Sequence, residues 1–347
     1  MALIGAFAAL VAFAGAFTMP PLDRDEARFA QATAQMLETG DFISIRFQDE
    51  ERNKKPTGIH WLQAAAVATF SDASARQIWA YRLPSVVGAI LAALLTYSAG
   101  TRLFGDRVGL LGALLLASAP GVAGEATIAK TDAMLLACVA AAQTALIYIV
   151  GAVIENRRAG ALLPLLFWIA IGAGILIKGP IILMVCGSTT AALMLRMPRR
   201  KLIKALRPAL GLMILAAMIA PWAATLNAAT EGRFFAEAIG GDMLAKIGDA
   251  QERHAGPPGY YAALLFVLLW PAAALIMAGA RSAVAMRDDW RYWFLLGWIV
   301  PSWIVFELTA TKLPHYTLPL YPAIALIAAQ AAFHVGNGRA RRVEKAG

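Results

Sequence analysis

The chain has 347 residues, of which 59% are hydrophobic and only 15% are charged. Its mean hydropathy is +0.62, which excludes a water-soluble globule, because the surface of such a protein needs more polar side chains. The formal net charge of +9 would suit a nucleic-acid-binding protein, so the positions of the charges have to decide between the two classes.

The excess positive charge is confined to alternate loops. These loops hold 17 Lys and Arg residues against five acidic residues, and they lie at 102–107, 155–158, 196–207, 281–291 and 339–345. The rest of the chain holds slightly more acidic than basic residues. Cytoplasmic loops of membrane proteins carry this excess of Lys and Arg, so we interpret the charge as a topology signal and expect no nucleic-acid partner.

Apolar segments long enough to cross a bilayer recur along the whole chain. The sequence predicts an all-α integral membrane protein, residues 1–347 as one domain, with about ten transmembrane helices near 2–18, 79–100, 108–124, 132–154, 161–177, 180–196, 208–228, 260–280, 292–310 and 317–335. We expect a bacterial inner-membrane location with both termini in the cytoplasm. Two long loops, 19–78 and 227–259, would then lie on the periplasmic side. Within the first, 59–70 is too short to span and predicts an interfacial helix.

Charged residues gather at the periplasmic ends of the predicted spans. The first loop opens with Asp23-Arg24-Asp25-Glu26-Ala27-Arg28 and continues to Lys54-Lys55-Pro56, and the short turns contribute Lys130, Asp132, Lys178, Lys312 and His315. A solvated loop or lysines reaching lipid headgroups would also explain single members of this set. Their convergence on one face instead favours a polar pocket, whose lysines and carboxylates suit phosphate-ester chemistry.

These residues carry a resemblance to a known superfamily. The segments DRDEARFAQATAQMLETGDF, KKPTGIHWLQAA, ARQIWAYRLPSVVGA, AKTDAMLL, GILIKGPI and TKLPHYTLPLYPAIAL occur in this order between residues 19 and 330. In that order they resemble the GT-C membrane glycosyltransferases, especially the aminoarabinose transferases of lipid A and, more distantly, the protein O-mannosyltransferases. The resemblance implies transfer of a sugar from a polyprenyl-phosphate carrier to a periplasmic acceptor such as lipid A or another envelope glycolipid.

The resemblance also implies roles for individual residues. Asp25, paired with Glu26, matches the catalytic or acceptor-orienting carboxylate of the family, and Lys55 matches the lysine that holds the carrier phosphate. The remaining residues that we expect to bind the carrier phosphate and the substrates are Arg28, Asp132, Lys178, Lys312, His315 and Tyr316.

Two departures from the family pattern modify these expectations. Lys54 stands where many relatives have a glutamate that can bind a metal ion, so we predict neither a metal site nor another cofactor. Arg253 and His254 are further phosphate or metal candidates, although a solvated histidine is the more common case.

The aminoarabinose transferases also continue into a periplasmic C-terminal domain, which we do not expect in this chain.

Other functions remain open at this point. A transferase acting on protein side chains or on a surface polysaccharide would use the same chemistry. A lipid-linked-sugar flippase would need polar residues near the bilayer midplane, where this sequence is nearly apolar. Aromatic residues around the second long loop, including Phe234, Phe235, Tyr260, Tyr261 and Trp270, could stack on sugars, but aromatic belts at membrane interfaces produce the same pattern.

Overall fold

A computed structural model describes residues 1–21, 24–52, 55–235 and 256–344, with side chains described up to residue 333. In these ranges the chain is helical apart from its connections and one short antiparallel hairpin, β1 (Arg46–Phe47) with β2 (Glu50–Glu51). The helices are α1 (Ala2–Ala16), α2 (Arg24–Thr39), α3 (Gly58–Phe70), α4 (Ile78–Phe104), α5 (Asp106–Ala117), α6 (Pro120–Ala126), α7 (Asp132–Ile154), α8 (Leu162–Lys178), α9 (Ile181–Met194), α10 (Arg199–Leu206), α11 (Pro208–Ala229), α12 (Arg233–Phe235), α13 (Tyr260–Leu268), α14 (Ala273–Ala285), α15 (Trp290–Leu308) and α16 (Tyr321–Glu344), with a 3₁₀ segment at Pro314–Leu320 before α16.

The prediction of a helical membrane protein is confirmed. Within the described ranges, four stretches are long and apolar enough to cross a bilayer, namely Ile78–Phe104, Asp132–Ile154, Arg199–Ala229 and Pro314–Phe333, and a bent helix pair makes a fifth candidate. Four shorter apolar helices lie at Ala2–Ala16, Leu162–Lys178, Ile181–Met194 and Ala273–Ala285, in or beside predicted spans. That all ten predicted segments cross the membrane stays a prediction.

Helix α7 forms the centre of the bundle. Its Ala, Leu, Val and Ile side chains are apolar on every side, and almost all of them are buried by neighbouring helices. A helix that is hydrophobic all round is typical of such a central position. Helix α11 is equally apolar, but most of its side chains are exposed and would face lipid.

Small residues let α4 approach its neighbours closely. A Cβ atom built on Gly88 would lie 2.6 Å from the carbonyl oxygen of Ala133 in α7, and one built on Gly100 would lie 2.6 Å from the Cα atom of Gly109 in α5. Side chains at these positions would therefore push the helices apart. Such contacts between small residues are the usual basis of helix association in membranes.

Two predicted spans are not single straight helices. The segment predicted at 108–124 is divided between α5 and α6, which are bent by 60° where Pro120 begins the second helix. The segment predicted at 260–280 is divided into α13 and α14, with Pro271 in the connection. Proline lacks the amide hydrogen that a continuous helix needs, which accounts for both breaks. The bend between α5 and α6 is the more important of the two for the candidate site, because it turns α6 towards the charged residues at the predicted periplasmic ends of the spans.

The first long loop is an ordered unit built on α2 and α3. With 13 residues, α3 is about 20 Å long and too short to cross the hydrocarbon layer, as predicted for an interfacial helix. It packs on α2 through Thr33, whose hydroxyl donates to Gln63 (2.7 Å) and contacts His60 Nδ1 (2.7 Å). Burial, followed by the nearby Arg52, lowers the pKa of His60 to about 3, so this histidine is neutral in the fold.

Candidate functional site

The adjacent acids Asp25 and Glu26 occupy different environments at the start of α2. Successive side chains of a helix point about 100° apart, so Asp25 and Glu26 face different surrounding residues. Glu26 is only 1% exposed, whereas the side chain of Asp25 is 47% exposed. The two carboxylates are adjacent in the sequence but have separate roles.

Glu26 holds the first loop against the bundle. Arg82 in α4 donates from Nε to Glu26 Oε1 (2.7 Å) and from Nη2 to Oε2 (3.0 Å), and the backbone amide of Ala129 also donates to Oε1 (2.9 Å). Arg82 further donates to the carbonyl oxygens of Ala16 (3.0 Å) and Met19 (2.6 Å). These bonds engage both carboxylate oxygens, so the geometry favours a positioning role for Glu26, and its catalytic role stays a prediction.

Asp25 lies at the surface of the same helix between two arginines. Arg28 Nη1 is 3.4 Å and Arg52 Nη2 is 3.3 Å from Asp25 Oδ1. The guanidinium of Arg52 also lies 5.3 Å from the centre of the Phe29 ring, a cation–π contact that holds it in place. A half-exposed carboxylate between two arginines is accessible to a substrate.

The ends of two long helices meet in a buried ion pair. Asp132 is the first residue of α7 and Lys178 the last of α8, positions where the helix dipoles favour a carboxylate and an ammonium group respectively. The Lys178 ammonium donates to Asp132 Oδ1, and both side chains are almost fully buried. Gly179 follows with φ +78° and ψ −151°, a conformation that essentially only glycine adopts, and it turns the chain sharply after Lys178.

The 3₁₀ segment and α6 complete this arrangement. His315 lies between two carboxylates, with Nδ1 3.4 Å from Glu125 Oε1 and Nε2 3.8 Å from Asp132 Oδ1. The Lys178 ammonium is 5.6 Å from the centre of the Tyr316 ring. Lys130 Nζ lies 4.0 Å from Glu125 Oε2. We call this group the buried polar cluster, formed by Glu125, Lys130, Asp132, Lys178, His315 and Tyr316.

The charges around the buried polar cluster sum to a positive value. Lys55, just before α3, is close enough to interact electrostatically with Asp132 and His315. With Lys130 and Lys178 it brings three ammonium groups against two carboxylates, counting histidine as neutral. A site with one surplus positive charge in a buried setting suits an anionic group such as a phosphate.

Several predicted site residues lie elsewhere. Lys312 is buried, but its ammonium donates to the carbonyl oxygens of Glu307 (2.6 Å) and Thr309 (3.2 Å), where it caps the end of α15. Asp25 and Arg28 belong to the α2 surface described above. Asp23, Lys54, Arg253 and His254 lie outside the residues that the structure describes.

Two residues important for this region were missed at the sequence level. Glu125 is the one charged residue between 108 and 129, and an ionisable residue in an apolar stretch is a signal of a functional site. Arg82 stands alone near the start of a predicted span and carries the same signal. Neither residue could be paired from sequence, because their partners lie on other helices.

Glu125, Asp132 and His315 also form a possible metal-binding triad. Each offers one ligand atom, and these atoms lie within 4.8 Å of one another. A carboxylate and histidine donor set can bind zinc. However, the Lys178 ammonium already occupies Asp132 and Lys130 lies beside Glu125. A dication would have to displace or tolerate these ammonium groups, so the residues present fit a metal ion poorly.

The aromatic residues of the second loop and its flanks are mostly used in packing. Phe234 packs edge-on against Trp222 with ring centres 5.7 Å apart, and Tyr261 is buried beside Trp303 and Phe306. Trp270 is exposed, as expected for a residue at the membrane interface. This distribution favours packing and interface roles over sugar stacking.

Comparisons with known proteins agree with the architecture. Residues 54–224 match the family model described as dolichyl-phosphate-mannose-protein mannosyltransferase. The undecaprenyl phosphate-α-4-amino-4-deoxy-L-arabinose arabinosyl transferase of Pseudomonas aeruginosa is 30% identical over 96% of this chain and 61% of its own length. That of Yersinia pestis is 26% identical over 92% of this chain and 57% of its own length. The chain thus spans about three fifths of the length of these curated relatives.

Solved structures show the same fold. ArnT from Cupriavidus metallidurans, determined with bound undecaprenyl phosphate, superposes with a TM-score of 0.84 at 21% identity and covers 95% of this chain and 59% of its own. The oligosaccharyltransferase AglB from Archaeoglobus fulgidus, determined with an inhibitory peptide and a dolichol-phosphate, gives a TM-score of 0.65 at 14% identity over 99% of this chain and 51% of its own. The helical membrane architecture and these matches show that the chain has the GT-C fold of ArnT and AglB, and that its sequence is similar to those of the aminoarabinose transferases.

Proposed function

We propose that this chain is a glycosyltransferase that moves a sugar from a polyprenyl-phosphate carrier to an envelope glycolipid such as lipid A. The observation that carries the proposal is the buried polar cluster together with the neighbouring Lys55, which brings three lysines around two carboxylates at the ends of apolar helices. A lipid phosphate needs this combination, because its charge requires cations while its chain requires an apolar path. The curated relatives are named as arabinosyl transferases that use undecaprenyl phosphate, which supports a pentose as the sugar.

In the proposed reaction the acceptor oxygen attacks the anomeric carbon of the sugar. The bond between that carbon and the carrier phosphate oxygen breaks, and its electron pair leaves with the phosphate. Lys55, Lys130 and Lys178 stabilise the charge that develops on the leaving phosphate. A single displacement of this kind inverts the configuration at the anomeric carbon.

Asp25 is proposed to orient the acceptor. For a hydroxyl acceptor the carboxylate receives the proton as the new bond forms, and for a phosphate acceptor, which is already anionic, it serves mainly to position the group through its flanking arginines. Glu26 supports this role indirectly. Its bond to the amide of Ala129 ties α2 to the segment that leads into the buried polar cluster.

We further propose that the reaction needs no metal ion. The three ammonium groups already supply the positive charge that a dication would otherwise contribute to the leaving phosphate. The contacts of Lys178 with Asp132 and of Lys130 with Glu125 support this assignment, because they occupy the carboxylates of the only candidate triad found among the described residues.

Replacing Lys178 tests whether the buried polar cluster holds the carrier phosphate. Lys178→Gln is expected to raise the Kd for undecaprenyl phosphate by about 10- to 100-fold, because a hydrogen bond to a charged group contributes ~1.5–3 kcal/mol. Binding of labelled undecaprenyl phosphate to the purified protein measures the effect. Lys204→Gln, an exposed lysine of α10, is the control and should leave the Kd unchanged.

Because Lys178→Gln leaves the Asp132 carboxylate buried, loss of binding has to be separated from loss of folding. The double variant Asp132→Asn, Lys178→Gln removes both charges of the pair, and its thermal midpoint shows whether the fold is kept. A folded variant lacking the Lys178 ammonium that still binds undecaprenyl phosphate as tightly as the wild type would contradict the proposal.

A protein O-glycosyltransferase is a second candidate function. The match of residues 54–224 to the mannosyltransferase family model favours it, and the carrier chemistry would be the same. The two functions differ in the acceptor. Mass spectrometry of lipid A and of periplasmic proteins from a strain without the gene distinguishes them, because the lost sugar mass falls on one component or the other.

We propose that the site faces the periplasm and that both termini are cytoplasmic. The support is the concentration of Lys and Arg in loops at the other end of α7, such as 196–207. A cysteine introduced at the exposed Asp72 should react with a membrane-impermeant maleimide in intact spheroplasts, whereas one at the exposed Lys204 should react only after lysis. The opposite pattern would reverse the orientation.

A further inference from the structure

A cavity of about 440 Å³ lies at the end of the bundle opposite the buried polar cluster. It is bounded by the C-terminal end of α7, the connection between α9 and α10, and the connection between α14 and α15. Since α7 has 23 residues, its two ends are about 34 Å apart. This cavity is therefore separate from the proposed transfer site and uses none of its residues.

The cavity combines an apolar wall with a rim of charged residues. Ile154, Met197 and Trp290 contribute apolar surface, while Arg196 and Lys201 lie at the rim. Arg196 is held by bonds from Nη1 to the carbonyl oxygen of Arg287 (2.8 Å) and to Asp288 Oδ1 (2.9 Å), and its guanidinium stacks 4.0 Å from the centre of the Trp293 ring. Both cationic groups are thus fixed in position, since Lys201 Nζ also donates to Asn156 Oδ1 (3.0 Å).

The helix that borders the cavity has the character of an interfacial helix. Leu202 and Leu206 of α10 are buried, while its basic residues are exposed on the other side. Residues 196–207 contain six Lys and Arg residues and no acidic residue. A short helix with one apolar and one strongly basic face lies at the boundary between headgroups and acyl chains. The cavity mouth is therefore at headgroup depth.

We propose that this cavity binds the headgroup of an anionic phospholipid of the adjacent leaflet. The lipid phosphate would contact Arg196 and Lys201, and the first part of the acyl chains would lie along Ile154 and Trp290. Asp288 and Asp289 also lie at the rim, where they pair with Arg196 and Arg291. The six Lys and Arg residues of 196–207 outnumber these two acids, so the surroundings as a whole complement a negative headgroup. Basic pockets between membrane helices on this side are suited to such headgroups.

Lipid retention by the full chain tests the proposal. Native mass spectrometry of the purified protein, with equal amounts of phosphatidylglycerol and phosphatidylcholine added, gives the preference for the anionic lipid. We expect Arg196→Gln, Lys201→Gln to lower this preference about tenfold. The control Arg200→Gln, Lys204→Gln removes the same amount of charge from α10 outside the cavity and should change the preference less than about twofold.

Three results would overturn the proposal. Equal losses in the two double variants would indicate a diffuse effect of surface charge. Displacement of phosphatidylglycerol by millimolar inorganic phosphate would indicate a simple anion site. Because Arg196 also packs on Trp293, Lys201→Gln alone is measured as well, and an unchanged lipid preference in this variant, with a wild-type thermal midpoint, would also exclude the cavity as the lipid site.

Discussion

Asp25→Asn is expected to lower the rate of sugar transfer by about 10²- to 10⁴-fold, the range that a positioned general acid or base contributes. The amide keeps the size of the side chain but can neither accept a proton nor hold a negative charge beside Arg28 and Arg52. Since Asp25 is half exposed and its ion pairs are at the surface, the fold should lose at most ~1 kcal/mol. Turnover of a polyprenyl-phosphate-linked sugar by the purified variant measures the effect.

The matched control for this prediction is Asp49→Asn. Asp49 is an exposed carboxylate in the turn of the hairpin within the same loop, where asparagine is also well tolerated. We expect its turnover to equal that of the wild type. Asp25→Asn should still bind undecaprenyl phosphate, because the lysines of the buried polar cluster are intact. Wild-type turnover in Asp25→Asn would remove the proposed role.

Arg82→Met is expected to cause the largest loss of stability, about 3–5 kcal/mol, because it leaves the Glu26 carboxylate buried without its cation. Both side chains of the pair are 1% exposed, so water cannot replace the lost contact. The free energy of unfolding in detergent, followed with chemical denaturant, measures the change. The double variant Glu26→Gln, Arg82→Met should recover part of the loss, because no buried charge remains.

Arg76→Met provides the comparison for the buried pair. Arg76 forms an ion pair with Glu38 at 2.7 Å in the same region of the chain. In contrast to Arg82, half of the Arg76 side chain is exposed. Exposed ion pairs contribute ~0–1 kcal/mol, so this variant should be nearly as stable as the wild type. Similar losses of stability in Arg82→Met and Arg76→Met would show that burial does not explain how much the Glu26–Arg82 pair contributes to stability.

The sequence predicted the helical membrane class and part of the site for identifiable physical reasons. Long apolar stretches are a strong signal, because a bilayer requires them. Asp132 and Lys178 could be expected to converge, since each stands at the same end of a predicted span, and the structure pairs them directly. His315 and Tyr316 contact this pair as well.

The remaining features depend on tertiary packing. Asp25 and Glu26 look equivalent in the sequence, and only the position of Arg82 on α4 shows that one is buried and the other is not. Lys312 resembles the other lone lysines, but its short connection to α15 lets it cap that helix instead. The bend before α6 brings Glu125 to His315. It was not predicted from the sequence, because the apolar pattern continues through it.

The proposed function is tested by sugar transfer from a synthetic undecaprenyl-phosphate-linked aminoarabinose to lipid A, catalysed by the purified full chain with EDTA present. We expect a labelled lipid A product and release of undecaprenyl phosphate in equal amounts, with turnover unaffected by the chelator. We also expect loss of both products with Lys178→Gln at low donor concentration. Absence of transfer from this donor to lipid A or to a protein acceptor, by a folded wild-type protein that binds undecaprenyl phosphate, would contradict it.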